Sequence, residues 1–242
     1  MWKGALTILA LGVCAPCAFA QKGSEAALQR IDRNDLCVTN GAVSTLPGGR
    51  LAIDTPRSRA VVRAAVENTA DQVAEIRFRY MGPTQVSRPL TSGELRRQIG
   101  LKLRAEDTCN LIYAMWHIEP DPNIAVSVKR NAGMHTHEQC GAGGYANVKA
   151  QKRIELAPIR PGETHTLRAE LHGNDLTVAA DRRVVWQGTL PGDTTVLDGP
   201  VGFRTDNARF ELEYYAGRSV QSGEQSARVQ PGPGRCVISE GD

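Results

Sequence analysis

The feature that most restricts this chain is its alternation. Residues 73–81 read V-A-E-I-R-F-R-Y-M, with Ile76, Phe78 and Tyr80 on one side and Glu75, Arg77 and Arg79 on the other. Successive side chains of a strand point to opposite faces, so this pattern predicts a half-buried β-strand. The same period recurs over 50–55, 60–66, 98–104, 110–119, 124–129, 153–156, 165–171, 175–180, 184–188, 202–205 and 209–215. Pro161-Gly162, Gly173-Asn174, Asp181, Pro191-Gly192 and Asp206-Asn207 punctuate these runs as turns. One short helix is expected, over 24–30, and no helical period exceeds two turns. Many short strands without long helices predict an all-β chain, a two-sheet antiparallel β-sandwich.

Residues 1–20 carry Lys3, an apolar run over 5–14 and Ala18-Phe19-Ala20. That order of parts predicts a signal peptide with cleavage before Gln21, and a single sandwich domain over 21–242 whose tail is polar from about 217. A lipid-anchored leader would use Cys14 or Cys17, but Val13 and Pro16 stand where such a signal wants a small residue. The apolar run is too short to span a bilayer, and no later stretch replaces it. Export, to the periplasm or outside the cell, is the expected address. Cleavage would leave Cys37, Cys109, Cys140 and Cys236, an even set that suggests two disulfides. Three pairings are open. The expected one is Cys109–Cys140, closing a hairpin with its following loop, and Cys37–Cys236, tying the two ends together. Closing so long a loop is worth roughly 4–5 kcal/mol in the chain-entropy model. A formal charge of +3 excludes a broad nucleic-acid surface.

The stretch HTLRAELHGNDLTVAADRRVVWQG followed by TVLDGPVGFRTDNARFELEYYAG, within 165–217, resembles the secreted concanavalin A-like and laminin-G-like jelly-roll superfamily. Its keto-glycoside hydrolase-like domain of unknown function is the member it looks most like. Gly173-Asn174, Asp181 and the run from Gly199 to Asn207 carry the likeness. The resemblance implies a two-sheet jelly roll and a glycan ligand. It carries no catalytic residue, because the matching positions read as turns, and fold analogy alone gives no function. The E-x-D-x-x-E signature of laminarinase-like members is absent.

Candidate chemistry lies on the polar side of the middle strands. If Ile112, Ala114, Trp116 and Ile118 pack inward, Tyr113, Met115 and His117 face out beside Lys102, Arg104, Ser127 and Lys129. Arg77 and Arg79 would extend this face. Aromatic rings lie on sugar faces, and Arg and Lys pair with carboxylates. Asn131 and Tyr145, in the Gly-rich loop 131–147, complete the expected ligand-binding set. The first expectation is therefore recognition of a glycan or cell-envelope polymer. The second is a polysaccharide-degrading enzyme, lyase or hydrolase, using Tyr113, His117 and Arg104 or Glu119, which with Asp121 flanks Pro120. The third is a periplasmic module whose long loop contacts an envelope protein. No cofactor or metal is expected. His135, His137 and Cys140 have no zinc-finger spacing, and Asp181, Asp193 and Asp206 give only a faint calcium signal without a D-x-D-x-D-G loop. His165 and His172 read as sheet-surface residues, Trp186 and Phe203 as core, and Trp116 as core or stacking platform.

Overall fold

A computed structural model describes residues 1, 28–63, 71–217 and 236 of the chain. Residues 2–20 of the expected signal peptide, and 218–235 and 237–242 of the tail, lie outside the described residues.

Sixteen strands follow one another. They are β1 (Gln29–Ile31), β2 (Leu36–Asn40), β3 (Ser44–Thr45), β4 (Leu51–Ile53), β5 (Arg57–Val62) and β6 (Gln72–Pro83). Next come β7 (Arg97–Leu103), β8 (Leu111–Glu119), β9 (Asn123–Lys129), β10 (Tyr145–Asn147) and β11 (Lys152–Arg153). The chain then runs through β12 (Thr164–His172), β13 (Asp175–Ala180), β14 (Arg183–Thr189), β15 (Gly202–Asp206) and β16 (Ala208–Gly217). A single turn of helix, α1 (His137–Cys140), precedes β10.

These strands form two antiparallel sheets. A nine-stranded sheet runs β11-β14-β13-β12-β6-β16-β4-β3, with β1 also on β16, and a seven-stranded sheet runs β10-β9-β8-β7-β15-β5-β2. The period-two faces meet between them. Ile76, Phe78, Tyr80, Leu167, Leu171, Phe210 and Leu212 of the first sheet share one core with Ile99, Leu101, Ile112, Trp116, Ile118 and Phe203 of the second. Phe78 meets Trp116 edge-on at 5.6 Å between ring centroids, so Trp116 is core. The condition set by the sequence is met: Ile112, Ala114, Trp116 and Ile118 are inside, and Tyr113, Met115 and His117 face out. The fold is a concanavalin-like jelly roll.

Both disulfides take the expected pairing, Cys37–Cys236 with Cα atoms 5.5 Å apart and Cys109–Cys140 with Cα atoms 5.8 Å apart. Asp206-Asn207 is not a hairpin turn. It is the corner where the chain leaves the seven-stranded sheet after β15 and enters the nine-stranded sheet as β16. Asn207 takes φ 54° there, a left-handed value that Asn tolerates. Its side chain accepts the Arg88 N–H at 2.7 Å and donates to the Arg88 and Arg96 carbonyls at 2.8 and 3.1 Å. The corner thereby fixes the loop that follows β6.

Other expectations needed correction. Gln29 and Arg30 belong to β1, paired with β16, rather than to a helix over 24–30; residues 24–27 lie outside the described residues, as do 64–66 of the strand expected over 60–66. The strand expected over 153–156 contracts to β11. The loop 131–147 ends as β10, paired with β9. His165 does not sit on the sheet surface; it is in register with Phe78, and its imidazole lies 5.4 Å from the Trp116 ring. No helix among the described residues is long and apolar enough to cross a membrane.

Candidate functional site

The outer face of the seven-stranded sheet holds a cleft of about 890 Å³. Register brings its side chains together. Tyr113, Met115 and His117 on β8 lie opposite Ser127, Ala125 and Asn123 on β9 and opposite Lys102, Gly100 and Gln98 on β7. Gly100 has no room for a side chain, because a Cβ there would stand 2.3 Å from Met115 Sδ. Its absence lets Met115 lie across β7. Leu90 to Glu94 and Arg96, from the loop held by Asn207, line one side; Asn147, Lys149 and Arg153 line another.

Tyr145 and Tyr113 form the aromatic part. Their rings stack at 6.1 Å with 21° between planes, Tyr113 buried and Tyr145 44% exposed. The Arg204 guanidinium lies 5.2 Å over the Tyr113 ring. Burial and the neighbouring Tyr113 push the Tyr145 phenol well above its ordinary value.

Beneath the cleft lies a charge network. Asp206 accepts from Arg59 at 2.7 Å, from Arg204 at 2.8 Å and from Gln98 at 2.6 Å. Burial alone would raise the Asp206 carboxyl, but Arg59, Arg204 and these hydrogen bonds outweigh it and hold its pKa at about 2. His117 behaves in the opposite sense. Burial, then Arg96, Arg204 and Arg153, push its pKa down to about 3. Its imidazole is therefore neutral at ordinary pH. Nε2 accepts an N–H of Arg96 at 3.2 Å, because a guanidinium can only donate, and so the ring proton sits on Nδ1.

Of the residues expected from sequence, Tyr113, Met115, His117, Ser127 and Tyr145 line this cleft, whereas Lys102, Arg104, Lys129, Asn131 and Glu119 do not. Lys102 faces outward but is 1% exposed. Arg104, at φ 43°, turns away and donates to the carbonyls of Thr194 at 3.0 Å and Gly173 at 2.7 Å. Lys129 donates to the carbonyls of Thr108 at 2.8 Å and Gly141 at 3.0 Å, and Asn131 to those of Cys109 and Gly143, both at 3.1 Å. These two residues brace the disulfide loop. Gly144, at φ 75°, allows that closure, since a Cβ there would stand 2.4 Å from the Arg130 carbonyl. Glu119 accepts from Arg97 and from the Tyr80 hydroxyl. Arg77 and Arg79 are on β6, in the other sheet.

The residues missed are Gln98, Arg96, Arg153 and above all Arg204. A signal for Arg204 was present: with Phe203 inward, alternation puts Arg204 outward. The metal ideas resolve as follows. Cys140 is consumed in its disulfide. Asp181 takes His165 and the Thr166 N–H, Asp193 pairs with Arg130, and Asp206 takes its arginines. Glu106, Asp107 and His135 bring ligand atoms within 4.8 Å of one another. However, the Asp107 oxygens already accept from the Cys109 N–H, the Asn110 amide and His135 Nδ1.

No protein-family model matches the chain, and no curated protein matches it. Solved structures do. The carbohydrate binding module CBM66 from Bacillus subtilis aligns over 74% of this chain and 91% of its own, at 15% identity and a TM-score of 0.50. The carbohydrate recognition domain of Emp46p aligns over 78% and 90%, at 13% identity and a TM-score of 0.48. Domain 4 of AbnA, an extracellular arabinanase from Geobacillus stearothermophilus, aligns over 76% and 84%, at 13% identity and a TM-score of 0.44. At such identities the likeness is one of architecture: this chain shares the β-sandwich fold of the Bacillus subtilis module.

Proposed function

We propose that this is an exported, single-domain protein that recognises a glycan in the cleft on the outer face of its seven-stranded sheet. The observation that carries the reading is the Tyr145 ring, exposed on the cleft and supported from below by Tyr113 and Arg204. A ring so held offers a flat apolar surface to a sugar face at little conformational cost. Asn123, Ser127 and Asn147 line the same cleft as partners for hydroxyl groups. The shared fold with a carbohydrate binding module supports the reading, and two disulfides fit an oxidising compartment outside the cytoplasm.

The same geometry weighs against turnover. A general base works best with a pKa near the working pH, and His117 lies at about 3. Glu119 and Arg104 are outside the cleft. A polysaccharide array probed with the intact protein tests the reading, with the Tyr145→Ala variant as control. Retention on at least one polysaccharide, lost in the variant and unaccompanied by unsaturated or reducing-end products, is the expected result. Product formation abolished by Tyr113→Phe or His117→Ala would establish the enzyme instead. Binding unchanged by Tyr145→Ala would remove the cleft from the argument.

A further inference from the structure

We infer that the cleft selects an acidic saccharide, one bearing carboxylate or sulfate groups, over its neutral counterpart. The inference deepens the glycan reading and rests on it. Its basis is a charge imbalance that no described residue corrects. Beneath the cleft, one carboxylate, Asp206, serves two arginines, Arg59 and Arg204. One positive charge is left over in a place where burying charge is costly. At the rim, Glu94 is taken up by Arg96. Arg153 and Lys149 also line the cleft, are exposed, and have no ion-pair partner among the described residues.

The same arginines surround His117. Three arginines from three separate stretches of chain, Arg96, Arg204 and Arg153, bear on its ring, and Asp206 opposes them. Fixed positive charge converging on a recess concentrates anions there. Guanidinium groups pair with carboxylate and sulfate oxygens through paired N–H donors. The aromatic pair supplies the sugar-face contact, so the ligand must be both saccharide and anion.

The experiment is calorimetric titration of the intact protein with a panel of acidic oligosaccharides and their neutralised partners. Oligogalacturonate and oligomannuronate are each compared with the carboxyl-reduced form. Heparin-derived and chondroitin sulfate oligosaccharides are each compared with the desulfated, carboxyl-reduced form. At least one acidic member is expected to bind about 10-fold or more tighter than its partner, with affinity falling as salt rises. The uronate and sulfate arms tell the two anionic groups apart. Arg153→Glu, at an exposed position whose loss leaves no buried charge unpaired, is expected to cut acidic binding about 10-fold and to weaken a neutral ligand far less. Neutral partners binding as tightly as the acids would overturn acid selection while leaving glycan recognition standing. Failure of every acidic and neutral member would overturn both. Acidic binding indifferent to Arg153→Glu would overturn the assignment to this cleft.

Discussion

Each outer face of the sandwich carries a carboxylate set between two arginines, and the two arrangements differ in what lies around them. On the nine-stranded sheet, Glu75 accepts from Arg77 at 2.7 Å and Arg168 at 3.2 Å. Arg168 also reaches Glu170, and Arg77 is 52% exposed and lies 4.5 Å over the Tyr215 ring. Arg50 pairs with Glu211, and Arg30 with Glu213. That face is a lattice of matched charges whose outer members reach water, although Glu75 at its centre is only 8% exposed. On the seven-stranded sheet, Asp206 is 0% exposed, Arg59 is buried with it, and no second described carboxylate shares the load. The contrast teaches that charge on a strand face is informative by its balance and depth rather than by its presence. A matched lattice covers a sheet; an unmatched, buried set leaves net positive charge beneath a cleft.

The most severe test of the contrast is to remove each central carboxylate. Asp206→Ala strands two buried guanidinium groups and is expected to cost about 3–5 kcal/mol. Glu75→Gln leaves Arg168 its Glu170, Arg77 its water and the amide able to accept, and is expected to cost less, about 1–2 kcal/mol. Urea denaturation of both variants measures the difference. Equal losses would mean that the two faces are energetically alike.

The buried face should also answer to pH. The His117 pKa is about 3 in the folded chain against 6.5 for a free imidazole. Between those values the unfolded chain takes up a proton that the folded chain refuses. Stability is therefore expected to hold above pH 6.5 and to fall as pH drops from 6.5 toward 3, at a limiting slope of about 1.4 kcal/mol per pH unit. Asp206, depressed from 3.8 to about 2, adds stability above 3.8 that is lost as pH falls toward 2. His117→Gln should flatten the slope between pH 6.5 and 4. A slope that persists in the variant assigns it to other groups.

These contrasts bear on what sequence can carry. The fold was legible because alternation is a backbone property. Ile76, Phe78 and Tyr80 went inside as read, and the face of β8 followed once Trp116 was placed. The short edge strands β1, β3 and β10 were not legible, since two or three residues hold no period. The site was legible by residue type and misread by depth. Lys102, Arg104 and Lys129 are the right chemistry for a basic groove, yet the first is sealed and the other two are spent on backbone carbonyls. Nothing local distinguishes them from Arg204, whose surroundings come from β5, β7, β8 and β10. The resemblance worked the same way: the run from Gly199 to Asn207 read as turn chemistry, while Arg204 and Asp206 within it are the centre of the buried network.

Binding separates the faces at intermediate scale. Each presents tyrosine and arginine together, Tyr145 stacked on the Tyr113 that Arg204 covers, and Tyr215 with Arg77. Tyr145→Ala is expected to weaken glycan binding at least about 10-fold, the worth of one sugar-stacking ring. Tyr215→Ala is expected to leave it unchanged. Affinity gels run in parallel read both; a loss from Tyr215→Ala would move the ligand to the other sheet.

The smallest effect is expected from the matched lattice itself. Arg50 and Glu211 meet at 2.8 Å, but the arginine side chain is 46% exposed. Water screens such a pair, and fixing a long side chain costs entropy that offsets most of the Coulomb gain. Arg50→Ala should therefore lower stability by less than about 1 kcal/mol, and the deficit should vanish in molar salt, where the screening length shrinks to about 3 Å. Asp206→Ala should keep its deficit in the same salt, because counterions do not reach a sealed pair. Denaturation of the two variants at low and high salt thus tests depth, since each breaks an arginine–carboxylate pair. If the Arg50 deficit survives salt, the lattice is tighter than its exposure implies, and balance rather than depth is what sets the two faces apart.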